Sequence, residues 1–178
     1  MKPVTTTELP IKSHADLIKR LDPYWKMEAA NMAGIPLICV VLTKGEIGWV
    51  TLVPLLATVL LLGIGAAYWR FKVRRLRRDQ RDSTVLLWIE RLRWPSLAVT
   101  ISGAGVAALG WIAPALSVGL ADRIAASACA VLAGLEYVNY YHRQLQHFDN
   151  ATDFRRMLSG KGFRKSWMAR DLAALRRS

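Results

Sequence analysis

The sequence predicts an all-α, polytopic integral membrane protein, with four transmembrane helices arranged as two hairpins and amphipathic cytoplasmic helices at their ends. Three observations lead to this fold class. The stretch from Ile47 to Trp69 carries no charge, and its roughly 23 residues, at about 1.5 Å of helical rise each, cover the ~30 Å of a hydrocarbon layer. A basic run follows at once, containing Arg70, Lys72, Arg74, Arg75, Arg77 and Arg78, and such runs mark the cytoplasmic side of a span. The chain also combines 53% hydrophobic residues with a net charge of +12. The two properties occupy different segments instead of interleaving at helical or strand period, as they would in a soluble core of this size.

Taken in order, the chain opens with a polar segment, residues 1–28, that shows no cleavable leader pattern. Ser13 with Asp16 resembles a capping box for a short helix that places Leu17, Ile18 and Leu21 on one face and ends at Asp22-Pro23. Pro23 then opens a new helix, with Tyr24, Trp25 and Met27 as an interfacial anchor. Residues 29–69 form the first transmembrane hairpin. Its first arm, Ala29 to Thr43, supplies about 15 uncharged residues, or roughly 22 Å of helix, short for a full crossing. Spanning is favoured over re-entry because Lys44-Gly45-Glu46 makes a tight polar turn before the second arm and Lys44 can extend outward. Pro36 marks a kink in the first arm.

Residues 70–94 form a basic cytoplasmic loop. Within it Asp82 or Ser83 caps an interfacial helix, Thr84 to Trp94, with Val85, Trp88, Ile89 and Leu92 on its apolar face and Glu90, Arg91 and Arg93 turned away. Residues 95–141 form the second transmembrane hairpin, which Pro95 turns inward. Its first arm is rich in small residues: Gly103 and Ala107, like Ala104 and Ala108, lie four apart, so another backbone can approach closely. Pro114 and Gly119 close it near Ala113, and Asp122-Arg123 belongs to the outer connection. Its second arm starts at Ile124 and carries the ridge Ala125, Cys129 and Ala133 beside a second ridge, Ala126, Ala130 and Gly134. The two arms therefore pack as a tight pair. Residues 142–178 form a basic cytoplasmic tail, in which Ser166 caps a last amphipathic helix presenting Trp167, Leu172 and Leu175 on one side.

The Lys/Arg counts test this topology. Five fall in residues 1–33, nine in 70–94 and nine in 142–178, against Lys44 and Arg123 alone in the two outer turns. Four spans place all three basic segments on one side, whereas three spans would put the first outside. Both termini are then cytoplasmic and the membrane is the cytoplasmic or inner membrane.

For chemistry, Glu136 stands out as an acidic side chain within reach of the hydrocarbon layer, where an ionisable group is expensive and by default functional, unless hydration or Arg143 two turns on neutralises it. The helix that carries it continues through Asn139, Tyr140, His142, Arg143, Gln146 and Asp149, with Asn139, His142, Gln146 and Asp149 on one ridge. His142 and His147 are five apart and face differently, so no metal site is expected, and no cofactor or catalytic set emerges. Ser159-Gly160-Lys161-Gly162 lacks the upstream glycine, the following Ser/Thr and the preceding strand of a phosphate loop. The two cysteines, Cys39 and Cys129, read as small packing residues. The basic run Arg70 to Arg78 is assigned to anionic lipid headgroups, the nearest concentrated polyanion, in preference to nucleic acid. These features point to a non-enzymatic membrane scaffold, accessory subunit or assembly factor, as a homo-oligomer or a complex with other membrane proteins. It would hold partner helices through Gly103, Ala107, Ala125, Cys129 and Ala133. The alternative is an oligomeric pore or transport subunit, or a lipid-modifying enzyme, with a cavity near Glu136 and His142.

Overall fold

A computed structural model describes residues 14–78, 83–145 and 163–177. Six helices account for most of them: α1 (His14–Leu42), α2 (Trp49–Arg78), α3 (Thr84–Arg91), α4 (Arg93–Ile112), α5 (Leu120–Tyr141) and α6 (Trp167–Leu175). A 3-10 turn, Pro114–Leu116, links α4 to α5. The fold is all-helical, and three helices among the described residues are long and apolar enough to cross a membrane, over Asp16–Leu42, Trp49–Arg77 and Arg93–Ile112.

The first helix corrects the sequence reading. Asp22-Pro23 does not end it; α1 runs unbroken for 29 residues with both Pro23 and Pro36 inside. Proline removes one N–H and crowds the carbonyl four residues back, but contacts to α2 hold the helix through that defect. Tyr24 stacks on Trp69 with ring centroids 5.2 Å apart. Asp22 accepts from Lys26 at 2.7 Å and from Arg77 at 3.1 Å. With this N-terminal extension the first arm is no longer short. At its other end the Lys44 N–H donates to Val41 and the Gly45 N–H to Val40, a Schellman closure in which Lys44 and Gly45 take φ of 55° and 86°.

The helix α2 is the axle of the bundle. It continues past Trp69 through the basic run, so residues 70–78 are its last two turns and not the start of a loop. Along one stripe it meets α5 in parallel and in register: the Thr51 hydroxyl donates to the Asp122 carbonyl at 2.7 Å and the Thr58 hydroxyl to the Cys129 carbonyl at 2.9 Å. Two turns further, Gly65 lies against Tyr140, where a Cβ would overlap the phenol oxygen. The step between the two hydroxyl contacts is seven residues on both helices, the period of a left-handed supercoil, whereas Tyr140 lies eleven past Cys129 and reaches Gly65 with its long side chain.

The small residues pack as expected, but inside the chain and chiefly onto α2. A Cβ on Gly103 would fall 2.9 Å from the Pro54 Cα, and one on Gly110 would fall 2.7 Å from the Val50 side chain. Ala107 shares a cluster with Val50 and Ala126, and Ala125 and Cys129 share one with Cys39 and Leu55. Ala133 belongs to the largest cluster, with Leu61, Ile64 and Tyr68. The close approach expected between the two arms of the second pair is therefore a three-way contact with α2. The helix α5 starts at Leu120, four residues before the expected start, which puts Asp122 inside the bundle and not in an outer turn. It is 1% exposed, and its carboxylate accepts from the Gly48 N–H at 3.0 Å and the Val118 N–H at 3.1 Å.

Gly103→Val is expected to cost about 1–3 kcal/mol by overpacking, read as a lower thermal midpoint in detergent, whereas Gly105→Val, where nothing lies within 4 Å, leaves the midpoint unchanged. The two sulfurs are 3.6 Å apart and are the chain's only cysteines. Mild oxidation should therefore remove both from a thiol probe added after denaturation while the chain stays monomeric in mass.

Candidate functional site

At the end of the bundle where the basic residues gather, α5 brings Glu136, Asn139 and Tyr140 against α1 and α2. Glu136 is half-buried, and its Oε2 is 3.5 Å from the Asn139 amide nitrogen. A second carboxylate joins it: Glu28 of α1, 3% exposed, faces both Glu136 and Tyr140. The Tyr140 ring is 3% exposed, and its hydroxyl stands beside both carboxylates without a well-formed hydrogen bond to either. Two carboxylates sharing one buried site repel, and a proton or a cation relieves the repulsion. By sequence Glu28 falls at the end of the polar segment 1–28, because the uncharged run of the first arm begins only at Ala29. The packing of α1 against the bundle is what buries it beside α5.

The remaining residues of the expected cluster go elsewhere. The helix α5 ends at Tyr141, so the ridge running on through His142 does not exist. The Asn139 side chain instead accepts from the Leu145 N–H at 2.9 Å, and Arg143 forms an antiparallel bridge with Lys165. His142 and Arg143 are exposed. Arg143 donates to the Phe163 carbonyl at 2.8 Å instead of neutralising Glu136. Gln146, His147, Asp149 and the Ser159 to Gly162 stretch lie outside the described residues, as do Ser13 and Asp82. Among the described residues no three His, Cys, Asp or Glu side chains converge on a point that could hold a metal ion.

Over this end sits a lid made of α3 and α6. Ser166 caps α6 as expected, accepting from the Ala169 N–H at 3.0 Å, and its hydroxyl donates to the Tyr140 carbonyl at 2.5 Å. Asp171 receives the Tyr68 hydroxyl at 2.8 Å and the Lys72 ammonium at 2.5 Å. Arg176 pairs with Glu90 of α3 at 2.6 Å. A cavity of about 30 Å³ remains beneath, lined by Tyr68, Asn139, Tyr140, Ser166 and Met168 among others, room for one water.

Both amphipathic faces keep their expected aliphatic members against the core, Val85 and Ile89 of α3 with Leu92 after it, and Leu172 and Leu175 in α6, but turn their tryptophans outward. In α6 Met168 and Leu172 are buried, while Trp167 is 46% exposed and carries Arg170, 4.2 Å from its ring centroid, on its outer surface. In α3 Leu86 and Ile89 are buried and Trp88 points out, while Glu90, expected to face away, meets α6. The residues assigned to lipid headgroups are partly committed as well: Lys72 to Asp171 and Arg77 to Asp22. Arg70 lies 5.6 Å from the Trp25 ring centroid, and Arg74 and Arg75 are exposed. Arg78 ends α2, and its side chain is outside the described residues. Comparison with family models, curated proteins and solved structures gives no match for this chain.

Ser166→Ala removes a cap and the bond to Tyr140, worth about 1–2 kcal/mol together. Tryptic cleavage at Arg170 and Arg176 is expected to accelerate about five- to thirtyfold as the lid opens.

Proposed function

We propose that the chain crosses the inner membrane four times as two hairpins, with α1, α2, α4 and α5 as the spans and both termini in the cytoplasm, and that it works as a non-enzymatic scaffold, accessory subunit or assembly factor. The observation that carries this reading is the apolar surface left outside the bundle. In the most apolar stretch of α1 11% of residues are buried, and in that of α4 28%, against 56% in α2. The exposed faces include Leu37, Ile38 and Val41 of α1, Ile101 and Ile112 of α4 and Val131 and Leu135 of α5, a belt that in water would be unstable. The helix α5 has 22 residues, enough length for a crossing. Its alanines and its Glu136-to-Tyr141 end make it the least apolar of the four, which a place beside α2 offsets.

Since Gly103, Ala107, Ala125, Cys129 and Ala133 are used within the chain, partner helices in this reading meet other small residues. Ala104 and Ala108 of α4 are exposed, with open space above Gly105, and Ala30 and Ala33 of α1 are exposed beside Gly34, which is open as well. Close helix approach over small residues is the usual means of association in lipid.

Topology is tested by single cysteines at Glu46, Ala115 and Arg75 in a background lacking Cys39 and Cys129. The first two should label from outside and the third from inside, and one compartment for all three overturns the scheme. The scaffold role is tested by gentle-detergent purification, which is expected to recover an oligomer or a stable membrane partner. A strict monomer with no partner overturns it.

A second reading is favoured by the Glu28, Glu136 and Tyr140 site: a pore or transport subunit that passes a proton or small cation at this point. His142 is exposed and its ring lies beside Tyr137. In vesicles, flux abolished by Glu28→Gln and Glu136→Gln with normal protein abundance would support this reading over the scaffold.

A further inference from the structure

We infer that the groove between the start of α4, the end of α5 and the outer side of α6 is a binding site for a phosphate-bearing anion, either a lipid headgroup or free phosphate. The groove encloses about 300 Å³ and is lined by Arg93, His142, Arg143, Lys165 and Arg176 together with Tyr141 and the small side chains of α6. That is about ten times the ~30 Å³ share of one water, enough for a phosphodiester and its attached glycerol. None of the described lining side chains is acidic. The cations come from separate parts of the sequence, so this is not one solvated helix face.

Three details show that the charge is gathered and not accidental. Arg143 and Lys165 are partners in an antiparallel bridge, where opposite residues project on one face and like charges destabilise the pairing unless something negative lies between them. Arg93, at the first position of α4, has its Nε–H buried without a hydrogen-bond partner, a donor that burial makes costly until an acceptor arrives. The carboxylate at the rim, Glu90, accepts from Arg176 Nε at 2.9 Å and from its terminal nitrogen at 2.6 Å, both at Oε1, while its Oε2 is buried without a partner. Its single charge offsets Arg176 and leaves Arg93, Arg143 and Lys165 in excess. Planar guanidinium forks match phosphate oxygens two at a time. Trp94, the neighbour of Arg93 in sequence, and Trp88 of α3 are 69% and 58% exposed, the setting of residues at the lipid–water boundary. The lipid form of the proposal therefore rests on the membrane reading above, whereas the free-phosphate form does not. It moves headgroup binding away from the Arg70 to Arg78 run.

The test uses the full chain in neutral detergent, titrated separately with dihexanoyl phosphatidylglycerol and with inorganic phosphate, and followed by its thermal midpoint. A saturable rise is expected. Arg93→Gln with Lys165→Gln should weaken half-saturation at least tenfold, while Arg74→Gln with Arg75→Gln, an equal loss of charge on α2, should leave it unchanged. A response to the lipid alone assigns the site to a headgroup, and a response to both shows that the phosphate suffices. In the wild-type chain, saturating ligand should slow acetylation of Lys165 relative to Lys44, a readout that survives if the double variant fails to fold. No saturable response, equal loss in both double variants, or no protection of Lys165 overturns the site. Failure to capture a membrane partner would leave it standing.

Discussion

The register between α2 and α5 governs the rest of the structure, and it is fixed where Asp122 is buried. A carboxylate held out of water must have its oxygens occupied. Here the Gly48 and Val118 N–H groups occupy them, while the Thr51 hydroxyl takes the carbonyl of the same residue. Gly48 is required at that point because a Cβ would fall 2.5 Å from the Asp122 oxygen. With Thr51 tied to Asp122, a step of seven on both parallel helices brings Thr58 under Cys129, and one further step on α2 reaches Gly65, which the Tyr140 phenol meets from a position eleven residues past Cys129.

The same register carries consequences to the opposite end. Placing Tyr140 against Gly65 aligns the end of α5 with Tyr68 and Lys72, and those two residues and the Tyr140 carbonyl are what α6 docks on. The lid is therefore held by polar contacts to two different helices and by Met168 and Leu172, both buried in the largest apolar cluster. Nine Lys/Arg residues in the segment 70–94 and nine in 142–178 would repel if each were merely solvated. The fold disperses them by giving Lys72, Arg77 and Arg176 a carboxylate each and by laying Arg70, Arg91, Arg93 and Arg170 near tryptophan rings. Arg93, Arg143 and Lys165 have no carboxylate of their own among the described ion pairs and meet at one groove.

The sequence by itself determined the all-helical class, the apolar helix through 49–69, the turn at Lys44-Gly45, the end of α4 near Ala113, the Ser166 cap and the closeness of approach at Gly103. Each of these follows from local physics, whether a charge-free length, a glycine in a left-handed turn, or the absence of a side chain on one helix face. Only the tertiary structure decided which helix those small faces meet, that α1 passes through Pro23, that Asp122 and Glu28 are interior, and that α6 folds back over Tyr140. The reason is that each of these outcomes depends on groups far apart in sequence, such as Tyr24 with Trp69, Thr58 with Cys129, and Tyr68 with Asp171. Local propensity assigns a proline, an aspartate or an amphipathic face its cost in isolation, and the contacts that offset that cost exist only once α2 has its neighbours.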